Sequence, residues 1–292
     1  MHPIGNNVLW VTLGFLLNLG YACAENTAPQ HRTITHQGEV RNYYVALPAD
    51  YNTDTTYWPL VVVHGGGGNA EKNTKALALR RHADQEGLPA IVIQPEFITA
   101  DKQVSRFPSL GESDVLLAVL QAVRTEFKVH EKILLNGYSM GGQFTHRFAL
   151  AHPELVQACA PFAAGTWSTP DGRLLIESFG AVDDPRAFLS DPANAKLIPA
   201  RLGDLFDPRV VKAARVVPGA GADSVPYLVM CGTLDTRMGI AKEFAASLAT
   251  AGFTVESAWP ATPHGNTKGA YDAEFEKYTA QAIDFFKRHT ER

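Results

Sequence analysis

Short β-branched runs alternate with amphipathic segments of helix length along most of the chain, and this alternation restricts the fold more than any other feature. Leu60 to Val63, Ala90 to Gln94, Lys132 to Asn136, Val156 to Phe162, Tyr227 to Cys231 and Thr254 to Trp259 read as strands. The central ones are apolar almost throughout, as strands buried on both faces are. Between them, Asn69 is placed to cap a helix running to about Glu86, with Gly87 as its stop. Ser113 is placed to cap a second, in which Val115, Leu116, Val119, Leu120, Val123 and Phe127 recur at helical spacing. Met140 to Ala151 (ahead of Pro153), Lys242 to Ala251 and Ala273 to His289 complete the helices. An opening hairpin fits Arg32 to His36, a Gln37-Gly38 turn, and Val40 to Leu47. Elements in this order predict an α/β domain, a mostly parallel eight-stranded sheet with helices on both faces.

The rhythm breaks from about Gly165 to Val225. Asp183-Asp184-Pro185, Asp191-Pro192 and Asp207-Pro208 punctuate this stretch, with Trp167, Phe179, Phe188 and Phe206 as isolated bulky residues. Roughly sixty residues without a clear strand exceed a simple connection. The stretch reads as an insertion with short helices, over one edge of the sheet between the sixth and seventh strands. Its aromatics favour a partial lid, with a solvated excursion as the alternative.

The chain has 292 residues, 46% apolar and 19% charged, a balance that supports a buried core and excludes a disordered tail. The net charge is −4, and the Lys and Arg residues are scattered, so nucleic acid is not an expected partner. Three distant cysteines give neither metal-site spacing nor a disulfide framework. Val8 to Leu19 (VLWVTLGFLLNL) is an apolar run of 12 broken only by Thr12, Gly14 and Asn18. It is too short for a bilayer core of about 30 Å and suits the apolar region of an export signal. Ala22-Cys23-Ala24 supplies small residues for cleavage before Glu25. Residues 1–24 are therefore expected to be a signal peptide and 25–292 one domain. The mature chain is then secreted or periplasmic, with no stable membrane span. Met1 to Asn7 lacks Lys and Arg, which argues against this, and a retained anchor or lipid attachment through Cys23 is the alternative. In an oxidising compartment Cys159 and Cys231 are either a disulfide or two buried thiols, and the sequence leaves both open.

Gly137-Tyr138-Ser139-Met140-Gly141 is a G-x-S-x-G lodged between the strand KILLN and a helix from Met140. In that setting a serine sits on a strained turn with its hydroxyl at the carboxyl end of the sheet. A hydroxyl needs a base to become a nucleophile. Among ten histidines, His264 lies in the loop TPHGNT after the last strand, at the same end of the sheet. His146 follows Ser139 by seven residues on one helix, about 10 Å away and out of reach. His130 and His152 border helix ends, where structural roles are common. Asp235 follows the strand YLVMC and precedes His264 by 29 residues, so it is the candidate orienting carboxylate. Asp223 falls at the opposite end of that strand, and Asp272 reads as a cap of the final helix. The Met140 amide is the expected first oxyanion donor. The second is expected from His64-Gly65-Gly66-Gly67-Gly68, with Gly66 ahead of Gly67 and His64 holding the loop by hydrogen bonds. No Lys-Ser/Thr pair follows at phosphate-loop spacing.

Ser139, Asp235 and His264 stand in the chain order of the α/β-hydrolases. With the strand ending in His64-Gly65-Gly66, they resemble that superfamily from about His31 onward, apart from the insertion. The opening RNYYVALPADY and WPLVVVHGGGG, with the export signal, resemble secreted esterases of the polyhydroxybutyrate depolymerase and feruloyl esterase-like group. The resemblance implies a serine esterase that cleaves small-molecule or polymer esters through an acyl-enzyme. That mechanism needs no metal or organic cofactor. Phe97, Phe107 and Trp167 are candidates to line a substrate pocket, with ordinary packing the alternative for each. Two other functions compete. One is an exported peptidase on the same fold, with Asp183 and Asp184 as the amine anchor in view. The other is a non-catalytic binding module that has kept the fold. Nothing in the sequence signals an oligomeric state.

Overall fold

The described chain begins as a hairpin. Strands β1 (Gln30–His36) and β2 (Glu39–Ala46) pair antiparallel with His36 opposite Glu39. The turn residues Gln37 and Gly38 both have positive φ, 51° and 82°, the twist that two-residue hairpins require. The computed structural model describes residues 28–66, 69–97, 112–177, 179–184, 187–188, 191–195, 216–264 and 270–291. The expected signal peptide lies outside them.

Four strands follow: β3 (Trp58–Val63), β4 (Ala90–Pro95), β5 (Ile133–Tyr138) and β6 (Val156–Phe162). Three short ones come next, β7 (Thr166–Ser168), β8 (Leu174–Ile176) and β9 (Gly180–Val182). Last are β10 (Tyr227–Met230) and β11 (Val255–Ala258). Eight of them form one sheet in the order β1-β2-β4-β3-β5-β6-β10-β11. β2 runs antiparallel to β1 and β4, and every other neighbouring pair is parallel. The crossover helices are α1 (Thr74–Glu86), α2 (Glu112–Glu126), α3 (Met140–Ala151) and α4 (Met238–Thr250), and α5 (Ala270–Thr290) closes the chain. The central strands are buried at nearly every position, as the both-faces expectation required.

Three expectations are corrected. Asn69 does not cap α1. Its side chain accepts the Lys72 N–H in a separate turn, and Asn73 stands at the helix start. Ser113 lies within α2, where it is buried. The insertion is not built of short helices alone, because β7, β8 and β9 form an antiparallel sheet. Strands of three residues are too short to display a period of two, so they leave no sequence signal.

This small sheet is fastened to α3 and α4. Arg147 of α3 donates to Ser168 Oγ (2.9 Å) and Thr166 Oγ1 (2.7 Å), and His146 Nε2 accepts the Ser168 N–H at 2.9 Å. Trp167 stacks on Phe244 of α4 at 4.5 Å, and Arg173 pairs with Glu243 at 3.0 Å. The described part of the insertion is therefore a packed layer. The partial-lid expectation also concerns residues 196–215, outside those described. Cys159 and Cys231 are separate buried thiols.

Candidate active site

β5 ends at Tyr138 and α3 begins at Met140, leaving Ser139 alone on the turn with φ 56° and ψ −111°. That is a strained conformation for a residue with a Cβ. Its N–H donates to Phe162 O at 2.8 Å, which fixes the turn to the neighbouring strand. The flanking glycines are there because backbones touch. A Cβ on Gly137 would sit 2.5 Å from the Gly141 carbonyl oxygen, and one on Gly141 would overlap the Val63 carbonyl. Close strand–helix contact thus forces the sharp turn that projects the Ser139 side chain.

β10 and β11 run parallel with Met230 opposite Ala258, so the loops after them leave side by side. Thr233 N–H donates to Pro260 O (2.6 Å) and Leu234 N–H to Thr262 O (3.1 Å). At Gly232 the two loops pass so closely that a Cβ would overlap the Thr262 carbonyl. This zipped pair of loops brings Asp235 against His264. His264 Nδ1 lies 2.7 Å from Asp235 Oδ2, and Nε2 lies 3.0 Å from Ser139 Oγ. With the Nδ1 proton donated to the carboxylate, Nε2 is free to accept from the hydroxyl. Burial pushes the Asp235 carboxyl up. Hydrogen bonds from His264 and from the Arg237 backbone, with the charges of both residues, more than offset this and hold it below the usual aspartate range.

Four supporting residues were not anticipated from the sequence. The Tyr138 ring stacks on His264 (centroids 5.1 Å apart, planes 18°), and its hydroxyl donates to the His264 carbonyl. Lys75 Nζ lies 2.9 Å from the centre of the Tyr138 ring, and burial holds this amine well below the ordinary lysine range. Arg237 binds Asp235 Oδ1 through its backbone N–H (3.0 Å) and Nη1 (3.2 Å). Glu177 pairs with Arg237 Nη2 at 2.8 Å. The sequence signals were faint: Arg237 lies two residues past Asp235, and Glu177 is an acid in the apolar run LLIESF.

Met140 is the first residue of α3, where a backbone N–H has no intrahelical partner. Gly66 lies alongside, since a Cβ on it would be 3.8 Å from Met140 Sδ. The two expected donors, Met140 and Gly66, are thus neighbours in space, and Gly67 falls outside the described residues. His64 Nδ1 bonds to Gly65 O at 2.9 Å, and burial lowers its basicity. The histidine thus braces the glycine loop as a neutral ring.

No family model matches the sequence, and no curated protein matches it. Solved structures do. A ferulic acid esterase aligns with TM-score 0.63 at 16% identity, covering 89% of this chain and 98% of its own. An S-formylglutathione hydrolase from Staphylococcus aureus aligns with TM-score 0.53 at 20% identity, covering 88% and 98%. Est1E from Butyrivibrio proteoclasticus aligns with TM-score 0.58 at 14% identity, covering 90% and 99%. Sheet order, crossovers and these likenesses agree. The chain has the α/β-hydrolase fold.

Other candidate residues take structural places in this fold. Phe97 is buried against Phe144 at 4.7 Å, and Trp167 is buried between Phe244 and His146, so the packing alternative holds for both. Phe107 lies outside the described residues. His146 bonds to Gly142 O and the Ser168 N–H. Asp183 and Asp184 are exposed, and Asp184 Oδ1 accepts the Ala187 N–H at 3.0 Å. Among the described residues no group of three His, Cys, Asp or Glu is arranged to hold a metal. No described helix is long and apolar enough to cross a membrane.

Proposed function

We propose that the protein is a serine hydrolase that cleaves carboxylic esters through an acyl-enzyme. The observation that carries this is the hydrogen-bonded path from Ser139 Oγ through both ring nitrogens of His264 to Asp235, starting on a strained turn. In this reading His264 Nε2 takes the hydroxyl proton as Ser139 Oγ bonds to the ester carbonyl carbon. The carbonyl electron pair moves onto oxygen, to which the Met140 and Gly66 amides donate hydrogen bonds, Gly67 being the alternative to Gly66. Collapse re-forms the carbonyl and expels the alcohol, which takes its proton from the imidazolium. Water then enters, gives a proton to His264 and bonds to the acyl carbon; the Ser139–acyl bond breaks, Ser139 Oγ takes the proton back from the imidazolium, and the acid leaves. Asp235 holds the ring's tautomer and stabilises the imidazolium throughout.

Esters rather than peptides are favoured on two grounds. The similar structures include a ferulic acid esterase and further esterases. The acids offered as an amine anchor are exposed, one of them engaged as a turn cap. The substrate class proposed is a hydroxycinnamoyl or hydroxyalkanoate ester, small or polymeric. A cleaved signal over residues 1–24, with a secreted or periplasmic mature chain, belongs to the same proposal.

The test is a panel of nitrophenyl acetate and butyrate, methyl ferulate, a hydroxybutyrate ester and an aminoacyl anilide. Ester turnover is expected, and Ser139→Ala should lower it by about 10³-fold or more. Rapid anilide cleavage without ester cleavage would replace this reading. N-terminal sequencing of the exported protein should begin at Glu25; a start well before it removes the assigned cut.

A further inference from the structure

Resting on the serine-hydrolase reading, we propose that Glu177 and Arg237 are positioning residues. They form a charge relay, Glu177–Arg237–Asp235–His264, through which the insertion sheet orients the triad and sets its protonation balance.

The two oxygens of Asp235 have separate tasks. Oδ1 is taken by the Arg237 backbone N–H (3.0 Å) and by Nη1 (3.2 Å), which leaves Oδ2 to His264 Nδ1 at 2.7 Å. The carboxylate therefore cannot rotate without breaking contacts at both oxygens. Arg237 is in turn fixed from behind. Its Nη2 meets Glu177 Oε2 at 2.8 Å, and Thr236 Oγ1 donates to Glu177 Oε1 at 2.6 Å. Glu177 is 0% exposed and Arg237 8%, so this pairing is made away from solvent, where screening is weak.

Glu177 does not belong to the acid loop. It follows β8 in the insertion, its N–H bonded to Gly165 O at 3.1 Å. The sign of each charge matters. Arg237 alone would pull the negative charge of Asp235 away from His264 and disfavour the imidazolium. Glu177 balances Arg237, so Arg237 can grip Asp235 without neutralising it. Titratable groups beside this cluster include Cys231, Tyr138 and Lys75. Burial and the Asp235 charge raise the Cys231 thiol, Tyr138 stacks on His264, and Lys75 lies over Tyr138. All three are constant in the variants below.

The test uses the full chain and two readouts. One is the acid limb of the pH profile of kcat/KM for an ester. The other is the NMR titration of the His264 ring, assigned with His264→Asn, which needs no turnover. Glu177→Gln leaves Arg237 unbalanced, so both midpoints move to lower pH by about half a unit or more. Arg237→Gln removes the cation, so both move to higher pH. The double variant returns towards wild type, with kcat still reduced. Arg237→Lys keeps the charge and the midpoint but lowers kcat about tenfold, because an ammonium cannot reproduce the planar fork. A merely structural role would weaken every variant without opposed shifts. Midpoints that stay fixed, or that move the same way in both single Gln variants, overturn the relay. If the Gln variants do not fold, Arg237→Lys decides, and an unchanged kcat overturns it. Absence of ester turnover in the wild type would count against the esterase reading, while the ring titration would still judge the relay.

Discussion

Ser139 occupies a backbone region that residues with a Cβ rarely adopt, and it does so where two glycines let β3, β5 and α3 meet. The strain sits where the proposed reaction needs an exposed hydroxyl. Asp235→Asn keeps the shape but can present an amide to Nδ1 and reverse the tautomer. We expect kcat to fall by about 10⁴ with KM little changed, read by steady-state kinetics. At this scale the sequence was legible for Ser139, Asp235 and His264. A glycine-lined serine and two polar residues just past strand ends all project from one edge of a parallel sheet. Tyr138, Arg237 and Glu177 were not legible, because their roles depend on which distant segment they meet. For Phe97 and Trp167 the sequence left a pocket wall and a core both open, because aromatics near strand ends suit either, and here they pack in the core.

The element that joins Asp235 to His264 is the pair of loops after β10 and β11, zipped by Thr233 and Leu234. Gly232→Ala would push a methyl group into the Thr262 carbonyl and spread the loops. We expect kcat to drop by about 100-fold or more, with a lowered unfolding midpoint, because small misplacements cost rate steeply. The insertion sheet is a second such element. Thr166→Val removes a hydroxyl that accepts from the buried Arg147 guanidinium and donates to Gln143. A loss of about 1–3 kcal/mol is expected in urea denaturation. That sheet was invisible in the sequence because its strands are three residues long, whereas the long strands of the main sheet announced themselves by continuous apolar runs.

At the scale of the whole molecule, the order of strands and helices was readable because each crossover must return the chain to a parallel edge. Burial also makes the fold sensitive to acid. His146 is fully enclosed, and burial first, then the Arg147 charge, holds it well below the usual histidine value. His64 is lowered by burial too. Groups whose folded values are lowered gain protons first in the unfolded chain. Their contribution to stability is therefore complete above about pH 6.5 and shrinks as pH falls below it. The denaturation midpoint should decline from pH 7 to about 5, and His146→Gln should flatten that decline; an unchanged slope would contradict it. Asp235 adds a further loss lower down, in the carboxylate range. The proposed chemistry needs this whole architecture to bring three distant residues together, and one labelling experiment addresses that directly. A fluorophosphonate should add once per chain, on Ser139 by peptide mass mapping, and His264→Ala should slow the addition by at least about 10³-fold. Labelling at another residue, or at an undiminished rate without the imidazole, would contradict the account.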